Sequence, residues 1–281
     1  FAHKVRANAS DYKLPVSVSL PETDEEIAFL TVAQLSHLIK NRKITSTKLT
    51  QIYIGRIKKF NDTLQAAVTL TEELAMLQAK KADEEITNGN YRGPLHGIPY
   101  GIKDLFSVPG YKTTWGATPY KDQQFEETAA IVQKLEDAGA VLVAKLTSGA
   151  LARGDVWFGG KTKNPWDLKQ GASGSSAGSA SATAAGLVAF SIGTETLGSI
   201  ISPSTRCGVT GLRPSFGSIS RAGGMSLSWS MDKAGPICRS AQDCAIVYNI
   251  IKGKTGSVEK DRSVIDYPFA FNPPADLSGY K

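Results

Sequence analysis

From Gly171 to Gly186 the chain reads GASGSSAGSASATAAG, 16 residues drawn only from Gly, Ala, Ser and Thr. A stretch without large side chains is either a flexible linker or a backbone packed closely against its neighbours. The continuation separates the two. Alanine density from Ser179 onward favours a close-packed helix, and Leu187 to Ile192 then reads as a buried strand. A linker lacks such an apolar continuation, so a glycine loop entering a packed helix is the expectation.

The rest of the chain supplies a core to pack against. With 281 residues, 41% of them hydrophobic and 21% charged, it is long enough and apolar enough for a globular fold. Thr31 and Gln34 fit a capping box opening a helix on which Val32, Leu35, Leu38 and Ile39 repeat at helical spacing. Further helices are expected from Ser46 to Phe60 and from Thr71 to Thr87, the latter with Glu72 and Glu73 at its positive end. After NGNYRGPLHG the pattern changes: IPYGIKDLF reads as a strand ending in a polar loop, TAAIVQKLEDAG as a helix and AVLVAKL as a buried strand. Alternation of this kind implies an α/β architecture, with a helical region over about 25–90 and a core over about 91–255.

Several function classes are disfavoured. The net charge of +6 comes from dispersed lysines without a basic block or an aromatic stripe, which argues for a solvated surface and against nucleic acid. No run of 18 apolar residues marks a membrane span, and FAHKVRANASDYK lacks the apolar core of a secretory signal. Cys207, Cys238 and Cys244 have no paired ligand spacing and read as structural thiols. Neither a metal nor a cofactor is implied, and no compartment is indicated.

Hydroxyl chemistry remains. The Walker pattern is absent, because no lysine follows the glycines. Gly174-Ser175-Ser176-Ala177-Gly178 matches the G-x-S-x-G elbow, but the preceding NPWDLKQ is not expected to form a strand. His3, His37 and His96 all lie upstream, whereas that elbow needs a histidine downstream of its nucleophile. A serine nucleophile here therefore needs another base. Lys103, between the apolar GIPYGI and LF, is the leading candidate: burial among hydroxyls lowers a lysine from its usual value of about 10.4 and leaves a neutral amine.

The stretches GPLHGIPYGIKDLF, DAGAVLVAKLT, KNPWD, GSSAGSASATAAG, GTETLGSI, CGVTGLRPSFGSISRAG and SMDKAGPICRSAQDCAIV, taken together and in this order, resemble the amidase signature family of serine hydrolases. The resemblance covers roughly residues 25–255. It implies a mixed central β-sheet flanked by helices and a Ser-cisSer-Lys triad: Ser199 in LGSI as nucleophile, Ser175 after a cis peptide as the bridge, and Lys103 in GIKD as the base. It further implies an oxyanion hole from the backbone N–H groups of Thr196, Leu197, Gly198 and Ser199, and a small-molecule amide as substrate. Thr194 and Thr196 are expected to support that loop, Ser176 and Ser179 to satisfy loop backbone groups or cap the following helix, Asp104 to pair with backbone or a cation, and Trp157 with Phe158 to pack in the core.

Glu195 stands where the family commonly has Asp, Leu197 where Gly is common and Ile201 where many members have Arg. Family members continue well beyond Lys281, which implies a chain corresponding to the N-terminal part of the fold, with an associated remainder, a deletion or a missing C-terminal segment; a homo-oligomer is the other partner expectation. Hydrolysis of a carboxamide is the leading expectation. The alternatives are an amidotransferase subunit that releases ammonia for a partner, and a truncated homologue that only binds.

Overall fold

The computed structural model describes residues 17–256, 259–271 and 278. The N-terminal stretch read as lacking a secretory core, with His3, lies outside the described residues. In chain order the elements are α1 (Asp24–Ala28), α2 (Val32–Lys40), α3 (Ser46–Leu64), β1 (Ala67–Leu70), α4 (Glu72–Thr87), β2 (Pro99–Lys103), α5 (Ala130–Asp137) and β3 (Val141–Leu146). There follow β4 (Val156–Trp157), β5 (Gly160–Lys161), β6 (Lys163–Asn164), β7 (Asp167–Gly171), α6 (Ala177–Ala184), β8 (Phe190–Glu195), α7 (Ile201–Cys207), β9 (Thr210–Gly211), β10 (Lys233–Cys238) and α8 (Ala241–Ile251).

Six strands form one mixed sheet in the order β1-β3-β2-β8-β10-β9. β2 lies parallel between β3 and β8, and the outer strands β1, β10 and β9 are antiparallel to their neighbours. The unbroken apolar run of β3 follows from burial on both faces. Val141 and Val143 pack with Ile54, Ile57 and Ala79 of α3 and α4, while Leu142 joins Tyr100, Ile102, Phe190 and the apolar residues of α2 and α8. Helices thus cover a central strand on each side, and β2 carries Lys103 into the interior.

Local chemistry accounts for most element ends. The Thr31 hydroxyl accepts from the Gln34 amide at 3.2 Å and the Gln34 side chain accepts from the Thr31 amide at 2.9 Å, the reciprocal capping box read from the sequence. α3 outlasts its expected end at Phe60, because Asn61 stays helical while its Oδ1 accepts the Ala66 and Ala67 amides at 3.0 and 2.7 Å.

Three expectations are corrected. Only the second half of Leu187–Ile192 is strand: the Leu187 amide still closes the α6 terminus on Ala182 at 2.8 Å, and pairing begins where Phe190 meets Tyr100. NPWDLKQ does contain a strand, since Asp167–Gly171 pairs with Lys163–Asn164 around a turn in which Asn164 Oδ1 accepts the Trp166 amide at 3.1 Å. That hairpin stands apart from the main sheet. Trp157 and Phe158 lie at the tip of the two-stranded β4–β5 hairpin and stack edge to face on each other, with Phe158 39% exposed, because among the described residues that hairpin pairs with no further strand.

The small-residue tract is packed, not free. Every residue from Ala177 to Thr183 is buried, and the Gly178 amide donates to the Thr147 carbonyl at 3.0 Å. A Cβ at Gly178 would run into the Ala66 carbonyl and the Thr147 amide, which are backbone and cannot rotate away. Gly178→Ala is accordingly expected to destabilise the protein by about 1–3 kcal/mol, read as a lowered urea midpoint at unchanged slope.

Candidate active site

Lys103 ends β2, opposite Leu146 of β3, and is wholly buried. Its Nζ lies 2.7 Å from Ser175 Oγ, 3.1 Å from Ser176 Oγ, 2.9 Å from Thr194 Oγ1 and 3.5 Å from the Thr194 carbonyl. Ser175 and Ser176 precede α6, with the Gly174–Ser175 peptide cis, and Thr194 comes from β8. Four oxygens, none of them a carboxylate, therefore surround the amine. Burial pulls Lys103 down from 10.5 to about 7, against the weaker opposing pull of Asp232 and Glu195.

On the neighbouring strand, a second buried lysine has the opposite surroundings. Lys145 of β3 forms an ion pair with Asp104 Oδ1 at 2.8 Å and bonds the Lys112 carbonyl at 2.6 Å and the Thr113 hydroxyl. Asp104 Oδ2 also accepts from the Thr114 amide at 2.9 Å and from the Thr114 hydroxyl. Asp104 thus takes the cation partner expected for it, and it spends its charge away from Lys103.

Ser199 sits in the turn between β8 and α7, and its carbonyl accepts from the Ser176 amide at 3.1 Å. That bond ties the Ser199 turn to the Ser175 loop. The two hydroxyls themselves share no hydrogen bond in this structure. Ahead of Ser199, the loop is fastened from both sides. The Thr196 hydroxyl donates to Asp232, Lys233 Nζ donates to the Thr196 carbonyl at 3.0 Å, and Glu195 Oε2 accepts the Ile200 and Ile201 amides at 2.8 and 3.0 Å. Burial opposes the Glu195 charge, but the Ile201, Ile200 and Gly198 amides together with Arg213 outweigh it and hold the carboxyl below its usual range. Gly198 has a φ of +86°, a backbone state that suits glycine, and Leu197 points outward, 85% exposed.

The remaining hydroxyls divide. Ser179 Oγ donates to the Ile192 carbonyl at 3.0 Å, and Ser176 Oγ donates to the Thr194 carbonyl at 3.0 Å while accepting its amide at 3.1 Å. Both satisfy backbone, but that of strand β8 and not of their own loop, and Ser176 makes no side-chain bond capping α6. That Ser176 and Thr194 also touch Lys103 is not legible in the sequence, because the contact depends on β2 pairing with β8, and no short-range pattern encodes that pairing. His96 is buried and bonded, its Nδ1 accepting the Arg92 amide at 3.1 Å, and the three cysteines are buried free thiols. Among the described residues no three His, Cys, Asp or Glu side chains converge as a metal site.

A cavity of about 200 Å³ adjoins the cluster through Thr194, its walls including Phe106, Met225, Trp229, Asp232 and Lys233. Among the described residues no helix is long and apolar enough to cross a membrane.

The chain has relatives in sequence and in fold. The glutamyl-tRNA(Gln) amidotransferase A subunit of Methylococcus capsulatus is 39% identical over 89% of this chain and 52% of its own length, and that of Methylobacillus flagellatus 38% identical over 84% and 49%. The solved structure of native peptide amidase from Stenotrophomonas maltophilia superposes with a TM-score of 0.78 at 36% identity, over 84% of this chain and 50% of its own. A fatty acid amide hydrolase structure superposes at 0.81 with 25% identity, over 91% and 46%. The chain therefore spans about half the length of the relatives it matches. The family profile for Amidase matches residues 48–279, and with the mixed sheet and the sequence relatives this establishes that the chain belongs to the amidase signature family.

Proposed function

We propose that this chain carries the catalytic machinery of an enzyme that cleaves an amide C–N bond by acyl transfer to Ser199, with Ser175 as proton bridge and Lys103 as base. The observation that carries the reading is the buried Lys103 amine, pulled down to about 7 and 2.7 Å from Ser175 Oγ. An amine of that pKa is about half neutral at pH 7 and increasingly so above it, and the neutral form has a lone pair to receive a proton.

In the proposed sequence Lys103 Nζ takes the Ser175 proton as Ser175 Oγ takes that of Ser199, and Ser199 Oγ bonds to the carbonyl carbon. The second link closes by rotation of the Ser199 side chain towards Ser175, since catalytic hydrogen bonds commonly tighten only once substrate is bound. Backbone N–H groups of the Thr196–Ser199 turn would meet the oxygen as it gains charge, except that of Gly198, which is turned to the Glu195 carboxylate, and the bonds at Thr196 and Glu195 hold that turn in place beforehand. Collapse of the tetrahedral intermediate breaks the C–N bond, and the proton held on Lys103 returns through Ser175 to the departing nitrogen. Water then releases the acyl group by the same path.

A second reading shares this chemistry and draws on a specific observation. Relatives at 38–39% identity are amidotransferase A subunits, so release of ammonia from an amide donor for use by a partner is favoured over free-standing hydrolysis. Ammonia release that rises sharply when a partner and an acceptor substrate are supplied would support it; full turnover without them would return the weight to a self-sufficient amidase.

Ser199→Ala is expected to abolish covalent labelling by a fluorophosphonate, and Ser175→Ala or Lys103→Ala to slow it by about 10²–10⁴-fold; parent-like labelling of Ser199→Ala rules out the nucleophile. In the parent, the labelling rate should climb with pH through about 7 and level above it, as the amine loses its proton. Because the folded value lies below the ordinary 10.5, the unfolded chain binds the extra proton between about 7 and 10.5. Burial of Lys103 therefore costs stability at neutral pH, a cost that fades as pH rises through that window. Lys103→Met should be more stable than the parent at pH 7, and the gain should shrink towards pH 10.5; a gain independent of pH contradicts the assignment.

A further inference from the structure

The cavity beside Thr194 is lined by four charged side chains, and three of them are spent. Asp232 accepts from the Thr196 hydroxyl, from Ser226 Oγ at 3.2 Å and from the Leu227 and Ser228 amides at 2.7 and 3.0 Å. All the N–H groups of Arg221 are engaged: Nε and Nη2 on Asp261 at 2.9 and 3.2 Å, Nη2 also on Ser263 Oγ at 3.0 Å, and Nη1 on the Trp229 and Asp232 carbonyls at 2.7 and 3.4 Å. Asp261 is in turn occupied by Arg221 and Ser263.

Lys233 differs. It lines the same cavity, half-buried, and its Nζ makes one bond, to the Thr196 carbonyl at 3.0 Å. Glu195 stands directly across from it in the β8–β10 register, but that carboxylate is turned to the Ile200 and Ile201 amides and to Arg213 at 3.6 Å. An ammonium has three N–H groups, so two remain for a ligand. The other walls, Phe106, Met225 and Trp229, are apolar and suit a short hydrocarbon chain. For a primary amide the leaving group is ammonia, so everything the cavity can recognise belongs to the acyl chain.

We infer that Lys233 is a specificity-determining residue that selects amides whose acyl chain carries a carboxylate, binding that carboxylate in the cavity beside the Thr196 turn. The inference rests on the amide-cleaving reading for its substrate class and adds the charge of the acyl group. A charge-assisted hydrogen bond in a partly desolvated site is the strong kind, and it discriminates between a carboxylate and a neutral group of the same shape.

The test compares succinamate with its uncharged isostere 4-methylpentanamide on the protein at its native length, following ammonia release for the parent, Lys233→Met and Lys233→Arg. The parent is expected to prefer succinamate, Lys233→Met to lose about 10- to 100-fold of that preference in kcat/KM, and Lys233→Arg to keep part of it. The quantity read is the ratio between the two amides, because loosening of the Thr196 turn would slow both alike. Absence of a preference in the parent, or a ratio unchanged in Lys233→Met, overturns the inference. Binding of both amides to the Ser199→Ala variant by calorimetry supplies a readout independent of turnover: tighter succinamate binding that Lys233→Met removes supports the inference, and equal binding of the two overturns it. Fluorophosphonate labelling keeps the readings apart, since an unlabelled parent defeats the nucleophile assignment while the binding comparison still decides the role of Lys233.

Discussion

A buried amine without a carboxylate beside it is the constraint around which this fold is arranged. Removing an ammonium from water is costly unless it is paired, and a protein that withholds the pair obtains a neutral amine instead. Lys103 meets only hydroxyls and a carbonyl, and its pKa falls to about 7. Supplying those oxygens requires two segments to meet at the end of β2, the Ser175 loop and β8, and the Ser176 amide bond to the Ser199 carbonyl brings the turn into α7 alongside them. The central parallel position of β2 makes that meeting possible, because both neighbouring strands end on the same side.

The meeting also explains the composition of the 171–186 tract. α6 has no apolar stripe; it is small all round and buried all round, lying against backbone at Gly178 and against β8 through Ser179 and Ser191. Bulk anywhere along its first turns would push Ser175 away from the lysine. Small residues here serve distance, and the hydroxyls among them tie α6 to its neighbours, Ser179 to the Ile192 carbonyl and Ser181 to the Lys163 carbonyl.

Much of this is legible in the sequence, for identifiable reasons. The helices of the N-terminal third carry their own capping and spacing, so Thr31, Gln34 and the α2 stripe can be placed without tertiary knowledge. β3 is legible because burial on both faces leaves an uninterrupted apolar run. Lys103 stands out as a charge inside such a run, and the resemblance to the amidase signature family assigns Ser175 and Ser199 by order and spacing. Less is visible where pairing decides the outcome. The β6–β7 hairpin is built from polar residues whose strand character comes from a turn at Asn164, and Trp157 and Phe158 are apolar residues left without a covering layer. The contacts of Thr194 and Ser176 with the lysine, and the surroundings of Lys233, depend on which strands become neighbours across long stretches of chain.

Two consecutive residues of opposite charge, Lys103 and Asp104, are buried at the end of one strand yet do not neutralise each other, since Lys145 and the Thr114 backbone claim the acid. The consequence concerns alignment. Were β2 to slide by a single position, every side chain would swap faces and the carboxylate would arrive among the hydroxyls in place of the amine. The Asp104–Lys145 contact opposes that slide, because it would part the acid from Lys145 and leave a buried ammonium without its carboxylate. An ion pair on the far side of the strand end thereby fixes which functional group the sheet delivers to Ser175, Ser176 and Thr194.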